Sequence, residues 1–446
     1  MSFFIETASY IAVSSNFTSS FMFLLIESNS QELEEFWFSY IDVKVILFLI
    51  LMIIMFLVIR KLKFQITNSN QKILGGIISA IIIVALKLTG LIENNTYFNV
   101  VRGVYGYFDL QGSIELENVG DIKDIETYTD NQILVVVIGE STARKHMQVY
   151  GYDRLTTPNL NRIRDELLLY NNTISTDVIT TKSLPFLLTS ASKNDKETTS
   201  YSIIDVFNEA GFSTYWLSNQ RPIGHYDNKT SEIASAVGYL KFLNHKDEVK
   251  TNSHDEVLFP EFDLALKGRG KKVIFLHLIG THFEYSNRYP KTYNNFNDST
   301  VVSKKGTIIN HYDNAVLYND YIVYSLIEKL KNKSTRSALL YLSDHGENVY
   351  DEGTNFFGRN EERLTKTMFD IPFFVWTSKD FELPNDFEYH PNRAFMADHT
   401  YESILHLFGV KYQGLDFSRS IFSNNFIERK RFVVDGIDYE TRFKNE

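Results

Sequence analysis

The composition of the chain limits the kinds of protein it can be. With 446 residues and 44% hydrophobic content, it is long enough for a large folded core and an additional segment. A formal net charge of -10, without a long basic stretch, gives no support to a nucleic-acid-binding protein. Cysteine is absent from the sequence, which excludes disulfides, thiolate metal ligands and a cysteine nucleophile.

Two long apolar segments lie near the N-terminus. Residues 43–59 read VKVILFLILMIIMFLVI, and residues 73–91 read ILGGIISAIIIVALKLTGL. Each is long enough to cross the hydrocarbon layer of a membrane. Neither has the polar face of an ordinary globular helix, so we predict two transmembrane helices rather than two buried helices of a soluble core.

The charges around these segments predict their orientation. The connection between them carries only basic charged residues, which are Arg60, Lys61, Lys63 and Lys72. The flank before the first segment is acidic, with Glu32, Glu34 and Glu35. By the positive-inside rule, the connection is cytoplasmic and the chain after Leu91 lies on the opposite side of the membrane.

The sequence divides into three parts on this basis. We assign residues 1–112 to a membrane region, residues 113–130 to a linker and residues 131–446 to a globular domain. The linker is placed at the acidic run GDIKDIETYTDN, where the apolar pattern of the membrane region has ended.

Beyond the linker, short apolar segments alternate with stretches of helical periodicity. The predicted strands are QILVVVIGE, STYWLSNQ, KVIFLHLIGTH, ALLYLSDHGE and IPFFVWTS, and the predicted helices include LNRIRDELLLY and YNDYIVYSLIEKL. This alternation is typical of an α/β fold in which a mostly parallel sheet is sandwiched by helices. Active sites in such folds lie outside the carboxyl ends of the strands.

Polar residues follow four of these strands where each strand ends. They are Glu140, Asn219, His282 and the pair Asp344–His345. Two carboxylates and an imidazole, from Glu140 and the pair, suit zinc or another divalent metal. Any one of these residues alone is more often a solvated loop residue, but their shared position at strand ends favours a metal site. Gly346 allows the turn that the two adjacent ligands need to face one ion.

A candidate nucleophile is expected in a hydroxyl-rich segment, ISTDVITTKSLPFLLTSAS, at residues 174–192. Pro185 follows a turn at which a helix can begin, and the N-terminus of a helix favours an anion. Hydroxyl-rich loops are usually structural, however. Spacing alone does not choose among the candidates Thr176, Thr180, Thr181 and Ser183.

Ordered motifs along the chain resemble those of the phosphoethanolamine transferases of Gram-negative bacteria. They are VVVIGESTARKHMQVYGYDRLTTPNL, TTKSLPFLLTS, STYWLSNQRPIG, LIGTHFEYSNRYP, YDNAVLYNDYIV, YLSDHGENVYDEGTNFFGRNE and IPFFVWTS. The similarity runs from about Ser28 to the end, and the SNQ and FGRNE elements resemble most the members that act on lipopolysaccharide core sugars. The resemblance implies a multi-pass inner-membrane enzyme whose catalytic domain, residues 131–446, is periplasmic and has the alkaline phosphatase and sulfatase fold.

The resemblance also implies roles for individual residues. Four of them match the ligands of one tightly bound zinc ion: Glu140, Thr180, Asp344 and His345. Thr180 also matches the threonine nucleophile, and His282 matches a histidine that binds substrate or transfers a proton. Asn219 corresponds to a substrate-contacting position. The lipid A enzymes have a further histidine where this chain has GTNFFGRNE, which makes Arg359 a candidate for a phosphate-facing role.

The reaction implied is transfer of phosphoethanolamine from phosphatidylethanolamine, through a phosphoethanolamine–threonine intermediate, to lipopolysaccharide (core sugar or lipid A) or another glycan. The alternatives are a phosphoglycerol transferase, a phosphatase or sulfatase of the same superfamily, and a membrane-anchored pseudoenzyme or binding protein. A sulfatase is disfavoured because SLPFL, residues 183–187, lacks the arginine of the formylglycine signature. The family generally has five membrane helices, whereas two clear spans are predicted here. We therefore expect that the first spans of the family are missing, either because the protein is naturally short or because the sequence is incomplete at its N-terminus.

Overall fold

A computed structural model describes most of the chain in two compact units. The described residues are 2–13, 17, 22, 37, 41, 43–61, 69–88, 96–112, 114–122, 124–127, 131–195, 199–220, 229–244, 253–297, 303–333, 335–361, 363–434 and 436–444. The N-terminal unit comprises Met1–Gly112 with Asn360–Arg363, and the large unit comprises Ser113–Arg359 with Leu364–Glu446.

The N-terminal unit is helical in its described part. Its helices are α1 (Ser2–Val13), α2 (Val43–Lys61), α3 (Ser69–Leu88) and α4 (Thr96–Gly112). With a mean hydropathy of 2.8, α2 is the one helix among the described residues that is long and apolar enough to cross a membrane. The continuous apolar stretch of α3 is shorter, Ile73–Ile82. The second predicted span is therefore a helix, but its role as a membrane span stays a prediction. Most of the basic connection, residues 62–68, lies outside the described residues.

A seven-stranded sheet forms the centre of the large unit. Its strands are β1 (Ile133–Gly139), β2 (Leu167–Tyr170), β3 (Ser213–Ser218), β4 (Tyr239–Phe242), β5 (Lys272–His277), β6 (Ser337–Ser343) and β7 (Phe373–Thr377). Their spatial order is β2-β7-β6-β1-β5-β3-β4. All pairings are parallel except those of β7, which runs antiparallel to both β6 and β2. The prediction of a mostly parallel sheet is confirmed.

Helices cover both faces of this sheet. They are α5 (Pro158–Arg162), α6 (Thr180–Leu188), α7 (Ile203–Glu209), α8 (Lys229–Ser235), α9 (Phe259–Ala265), α10 (Lys304–Lys331) and α11 (Thr400–Leu407). A further helix, α12 (Tyr439–Arg442), packs in a separate cluster. Alternate residues of β1 point to opposite faces. Val136 packs in the core layer formed with α6, α7, α8 and α11, whereas Val137 packs in the layer formed with α5, α9 and α10. Every residue of β1 is buried, as a central strand between two helical layers requires.

Among the described residues, five short strand pairs join the loops around the sheet. They are Glu115–Leu116 with Thr199–Ser200, Glu126–Thr127 with Val410–Lys411, Thr173–Ile174 with Phe395–Met396, Asn348–Val349 with Phe357–Gly358, and Phe432–Val433 with Ile437–Asp438. The fourth pair is antiparallel and closes a loop immediately after the Asp344–His345 pair. We call residues 347–359 the Arg359 hairpin.

One predicted helix is wrong in its second half. The segment LNRIRDELLLY begins in helix α5, but this helix ends at Arg162 and Leu167–Tyr170 forms strand β2 at one edge of the sheet. A short apolar run fits a buried strand and a buried helix equally well by pattern, and here pairing with β7 decides for the strand. The other predicted helix, YNDYIVYSLIEKL, is confirmed within α10.

Candidate active site

Two central strands deliver three of the predicted ligands to one point. Strands β1 and β6 are adjacent and parallel, and Gly139 is paired with Ser343 at their carboxyl ends. The residues that follow, Glu140 and Asp344, therefore leave the sheet side by side. The Asp344 backbone N–H donates to the Gly139 carbonyl at 3.0 Å, which continues the ladder by one residue. The fold thus brings Glu140 and Asp344–His345 together, as their placement at strand ends predicts.

The distances between these side chains are short. One ligand atom from each of Glu140, Asp344 and His345 lies within 4.8 Å of the others, and all three residues are buried. His345 Nε2 lies 3.1 Å from Asp344 Oδ2 and 3.4 Å from Glu140 Oε1. Thr180 Oγ1 lies 3.1 Å from Glu140 Oε2 and 3.2 Å from His345 Nε2. We call these four residues the ligand group.

The ligand group fits a divalent metal. Zinc bonds of about 2.0 Å in a tetrahedral arrangement place ligand atoms roughly 3.3 Å apart, close to the separations of 3.1 to 3.4 Å found among the four side chains. Asp344 Oδ1 accepts backbone N–H bonds from Ser141 and His345. Its other oxygen, Oδ2, is buried and accepts no hydrogen bond from the described residues. Oδ2 instead lies 3.1 Å from His345 Nε2, and a cation between these two atoms would be bound by both.

The electrostatics of the ligand group also favour a cation. Burial alone would raise the pKa of Asp344, but His345 holds that pKa well below its ordinary value. Burial and Asp344 raise the pKa of Glu140, yet hydrogen bonding and charge from His345 leave it lowered. His345 Nδ1 donates to the Gly346 carbonyl at 2.9 Å, so Nε2 is the atom that faces the carboxylates. Against the effect of burial, Asp344 raises the pKa of His345 to about 9. The carboxylates that raise this pKa would attract a divalent cation in the same way.

Two glycines allow other loops to pack directly against the ligands. Gly280 has a φ of +50°, and a Cβ there would lie 2.9 Å from both the backbone N and O of Glu140. A Cβ on Gly346 would lie 2.1 Å from the Thr367 carbonyl oxygen. Gly346 does not have a positive φ. Its lack of a side chain is therefore needed for close packing against Thr367 rather than for a positive φ.

Among the four hydroxyl candidates, the described contacts bring Thr180 to the ligand group. It is the first residue of helix α6 and is half-buried. The hydroxyls of Thr176 and Thr181 are buried without a hydrogen-bond partner in the described structure, and Ser183 Oγ donates to the Thr180 carbonyl. Pro185 lies inside helix α6 rather than at its start. The helix therefore begins at the predicted nucleophile itself.

His282 and Arg359 lie at the border of the ligand group. His282 is half-buried on the loop after β5. Burial lowers its pKa to about 3, and the charges of Arg288 and Arg359 act in the same direction, so the imidazole is neutral at physiological pH. Arg359 Nη1 lies 2.6 Å from His345 Nε2 and 3.8 Å from Glu140 Oε1.

In the described structure, the side chain of Asn219 contacts residues outside the ligand group. Its Nδ2 donates to Asp255 Oδ1 at 2.9 Å, and its Oδ1 accepts from Ser253 Oγ at 2.6 Å. Asp255 in turn accepts the backbone N–H groups of Ile279 and Gly280. Asn219 therefore supports the turn that packs against Glu140. Its predicted contact with substrate stays a prediction.

Sequence reasoning missed one acidic residue of the site. Glu347 is buried, and its Oε2 lies 3.3 Å from Arg359 Nε. It stands in the quoted motif SDHGEN, two residues after His345. Its closeness in sequence to the predicted ligands was the signal available.

Comparison with known proteins places the chain in a family. The family model named Sulfatase matches residues 132–410. The chain belongs to the sulfatase family. Among curated relatives, the phosphoethanolamine transferase EptC of Escherichia coli O18:K1:H7 (strain RS218 / NMEC) is 28% identical, over 97% of this chain and 83% of EptC.

Solved structures agree with this membership. The C-terminal periplasmic domain of EcEptC from Escherichia coli, solved in complex with Zn, has a TM-score of 0.68 and 31% identity over 72% of this chain and 96% of that domain. The integral membrane lipooligosaccharide phosphoethanolamine transferase A (EptA) from Neisseria meningitidis has a TM-score of 0.73 and 20% identity over 94% of this chain and 84% of EptA. The predicted fold and the predicted resemblance to phosphoethanolamine transferases are both confirmed.

Proposed function

We propose that this protein is a zinc-dependent phosphoethanolamine transferase. It moves phosphoethanolamine from phosphatidylethanolamine to lipopolysaccharide, at a core sugar or lipid A, or to another glycan. The observation that carries the proposal is the position of the Thr180 hydroxyl, 3.1 Å from Glu140 and 3.2 Å from His345. The names of the similar EptC proteins and the zinc in the EcEptC structure support it.

The ligand group would hold one tightly bound zinc ion through Glu140, Thr180, Asp344 and His345. Bound zinc supplies positive charge that favours the ionised form of a threonine hydroxyl and offsets charge on phosphoryl oxygens. The chain adds charge of its own, because Thr180 begins helix α6 and the first backbone N–H groups of a helix point toward an incoming anion.

The reaction proceeds in two displacements. In the first, Thr180 Oγ1 loses its proton and forms a bond to the phosphorus of the donor, while the bond from phosphorus to the diacylglycerol oxygen breaks and that oxygen takes a proton. In the second, an acceptor hydroxyl or phosphate loses its proton and bonds to phosphorus. The bond to Thr180 then breaks, and the threonine regains a proton. This order predicts ping-pong kinetics.

Two residues at the border of the ligand group, His282 and Arg359, contribute to the proposed reaction. His282, neutral at physiological pH, can accept a hydrogen bond or a proton on one ring nitrogen and donate from the other, which suits proton transfer or phosphate binding. Arg359 offers a planar guanidinium that matches the phosphoryl oxygens. Asn219 supports the site through Asp255, and we retain it as a candidate substrate contact.

The N-terminal unit would hold the enzyme where its donor lipid lies. We assign α2 and α3 to the bacterial inner membrane, with the large unit in the periplasm. The apolar surface of α2 supports this assignment, since Val45 is its one buried residue among those described. Donor phosphatidylethanolamine is then supplied from the bilayer itself.

Reconstitution tests the function directly. The full chain is placed in vesicles with zinc, lipopolysaccharide and phosphatidylethanolamine labelled in its head group. We expect labelled lipopolysaccharide, release of diacylglycerol and a phosphoethanolamine adduct on Thr180. Transfer from labelled phosphatidylglycerol instead would identify a phosphoglycerol transferase. Stoichiometric zinc without turnover of either lipid would identify a pseudoenzyme.

A further inference from the structure

The Arg359 hairpin places Glu347 and Arg359 opposite each other. In its ladder, Asn348 pairs with Gly358 and Val349 pairs with Phe357. One further step along this antiparallel register brings Glu347 across from Arg359, and cross-strand neighbours of opposite charge attract. The register of the hairpin therefore places these two side chains next to each other.

Glu347 is itself held firmly. It is 1% exposed, and its Oε1 accepts a hydrogen bond of 2.6 Å from the hydroxyl of Tyr285, which is 4% exposed. Its Oε2 forms an ion pair of 3.3 Å with Arg359 Nε. The carboxylate thus contacts the inner nitrogen of the guanidinium, and the outer nitrogen Nη1 faces the ligand group.

Side-chain contacts add to the two-residue ladder of the hairpin. Asn348 is buried, and its Nδ2 donates to the Phe356 carbonyl at 2.7 Å and to Thr354 Oγ1 at 3.0 Å. Tyr350 and Glu352 hold positive φ values of 61° and 54° within the connecting turn. Non-glycine residues rarely adopt a left-handed backbone, and they keep it where surrounding contacts fix the turn.

A competing attraction acts on Arg359. Its Nη1 lies 3.8 Å from Glu140 Oε1 and 2.6 Å from His345 Nε2, so the acidic ligand group pulls the guanidinium inward. Glu347 supplies a second negative charge, which engages the guanidinium at Nε. Without it, the guanidinium would be held by the ligand group alone and would lose the contact that fixes its orientation.

We propose that Glu347 is a positioning residue that, supported by Tyr285, holds the Arg359 guanidinium at the phosphoryl-binding side of the ligand group. The inference rests on the proposed function, in which Arg359 binds phosphoryl oxygens. Glu347 itself touches neither the ligand group nor the reacting atoms in the described contacts. Its effect on turnover therefore passes through Arg359.

A double-mutant cycle on the full chain tests this, with phosphoethanolamine transfer and zinc content measured for each variant. We expect E347Q and R359A each to lower kcat by about 10- to 100-fold while zinc stays near one per chain. The double variant should be no slower than R359A alone, because the two residues act as one unit. Y285F should lower kcat by roughly a few-fold, because the hydrogen bond to Glu347 is lost. D263N, which removes a carboxylate from an exposed ion pair with Lys329, serves as the control and should match the parent protein.

Each outcome of these measurements either supports or overturns the positioning role of Glu347. Losses that multiply in the double variant would give Glu347 an independent role and overturn the proposal, as would full activity in E347Q or in R359A. Should E347Q lose zinc or unfold, Y285F decides: a lowered kcat with zinc retained supports positioning, and unchanged kinetics reduce Glu347 to a structural residue. Failure of the parent protein to transfer phosphoethanolamine at all is a different result, since it rejects the proposed function itself.

Discussion

The ligand group and the Arg359 hairpin reach the same point by different routes. Glu140 and Asp344 each follow a fully buried central strand by one residue, and the backbone ladder between those strands fixes their separation. Arg359 arrives on a hairpin whose paired strands are only two residues long, and its position depends on side-chain contacts with Glu347 and His345.

This difference separates metal binding from substrate handling. Ligands attached to the sheet inherit the rigidity of the core, so a metal site there survives changes in the surrounding loops. Side chains on loops can be replaced without disturbing the core, which makes them the place where donor and acceptor preference are set. The first two predictions below test the sheet-borne ligand group with its nucleophile, and the last two test the loops.

The largest effect is expected at Thr180. T180A should reduce transfer on the order of 1,000-fold or more, because it removes the only proposed attacking oxygen. T181A is the matched control and should retain measurable activity, since the hydroxyl of Thr181 makes no described hydrogen bond. Mass spectrometry of the digested protein after incubation with phosphatidylethanolamine locates the adduct. An adduct on Thr181, or full activity in T180A, would reject the assignment.

Loss of a sheet-borne ligand should be nearly as severe. D344A removes a buried carboxylate whose Oδ2 lies 3.1 Å from His345 Nε2 in the ligand group, so zinc affinity should fall on the order of 100-fold or more. Metal analysis of the purified protein measures this directly. D351N, which alters an acid on the hairpin outside the ligand group, is the comparison and should keep its zinc. Stoichiometric zinc in D344A would remove Asp344 from the site.

These contrasts also explain how much was predictable from sequence. Glu140 and Asp344–His345 could be found because buried strands have a clear apolar pattern and their carboxyl ends share one edge. Strand β2 was missed because the short run Leu167–Tyr170 has no pattern of its own, and pairing with β7 determined it. The pairing of Glu347 with Arg359 depends on the register of the hairpin. The turn that sets this register has a left-handed backbone at a tyrosine and a glutamate, a conformation that no sequence rule predicts for these residue types.

A loop-borne residue should affect turnover without affecting the metal. H282A should lower kcat by about 10- to 100-fold and leave zinc bound, because His282 makes no described contact within the ligand group that would hold the ion. H282Q, which keeps a hydrogen-bonding side chain but cannot take up a proton, separates the two proposed roles. Recovery of activity in H282Q would favour phosphate binding over proton transfer. Unchanged turnover in H282A would place the residue outside the reaction.

The smallest effect is expected where the two regions are joined, at His146. This histidine follows Glu140 by six residues, and its imidazole bridges Asp313 on α10, at 2.7 Å, and Asp351 in the hairpin, at 3.3 Å. Lys145, Tyr152 and Arg154 also face these two carboxylates. Burial lowers the pKa of His146, but hydrogen bonds to the two aspartates outweigh this and raise it to about 9.

The pH dependence of stability tests this connection. A folded pKa of about 9, above the ordinary value of 6.5, means that the contribution of His146 is complete below pH 6.5 and is lost as the pH rises through 9. The shift corresponds to at most about 3 kcal/mol. We expect the melting temperature of the parent protein to fall more steeply between pH 6.5 and 9 than that of H146Q, which cannot titrate. Comparing the two proteins removes the contribution of other groups, including Glu402, whose pKa burial raises to about 8. Parallel curves for the parent protein and H146Q would show that the imidazole is neutral, and that the strand-end segment and the hairpin are held together without its charge.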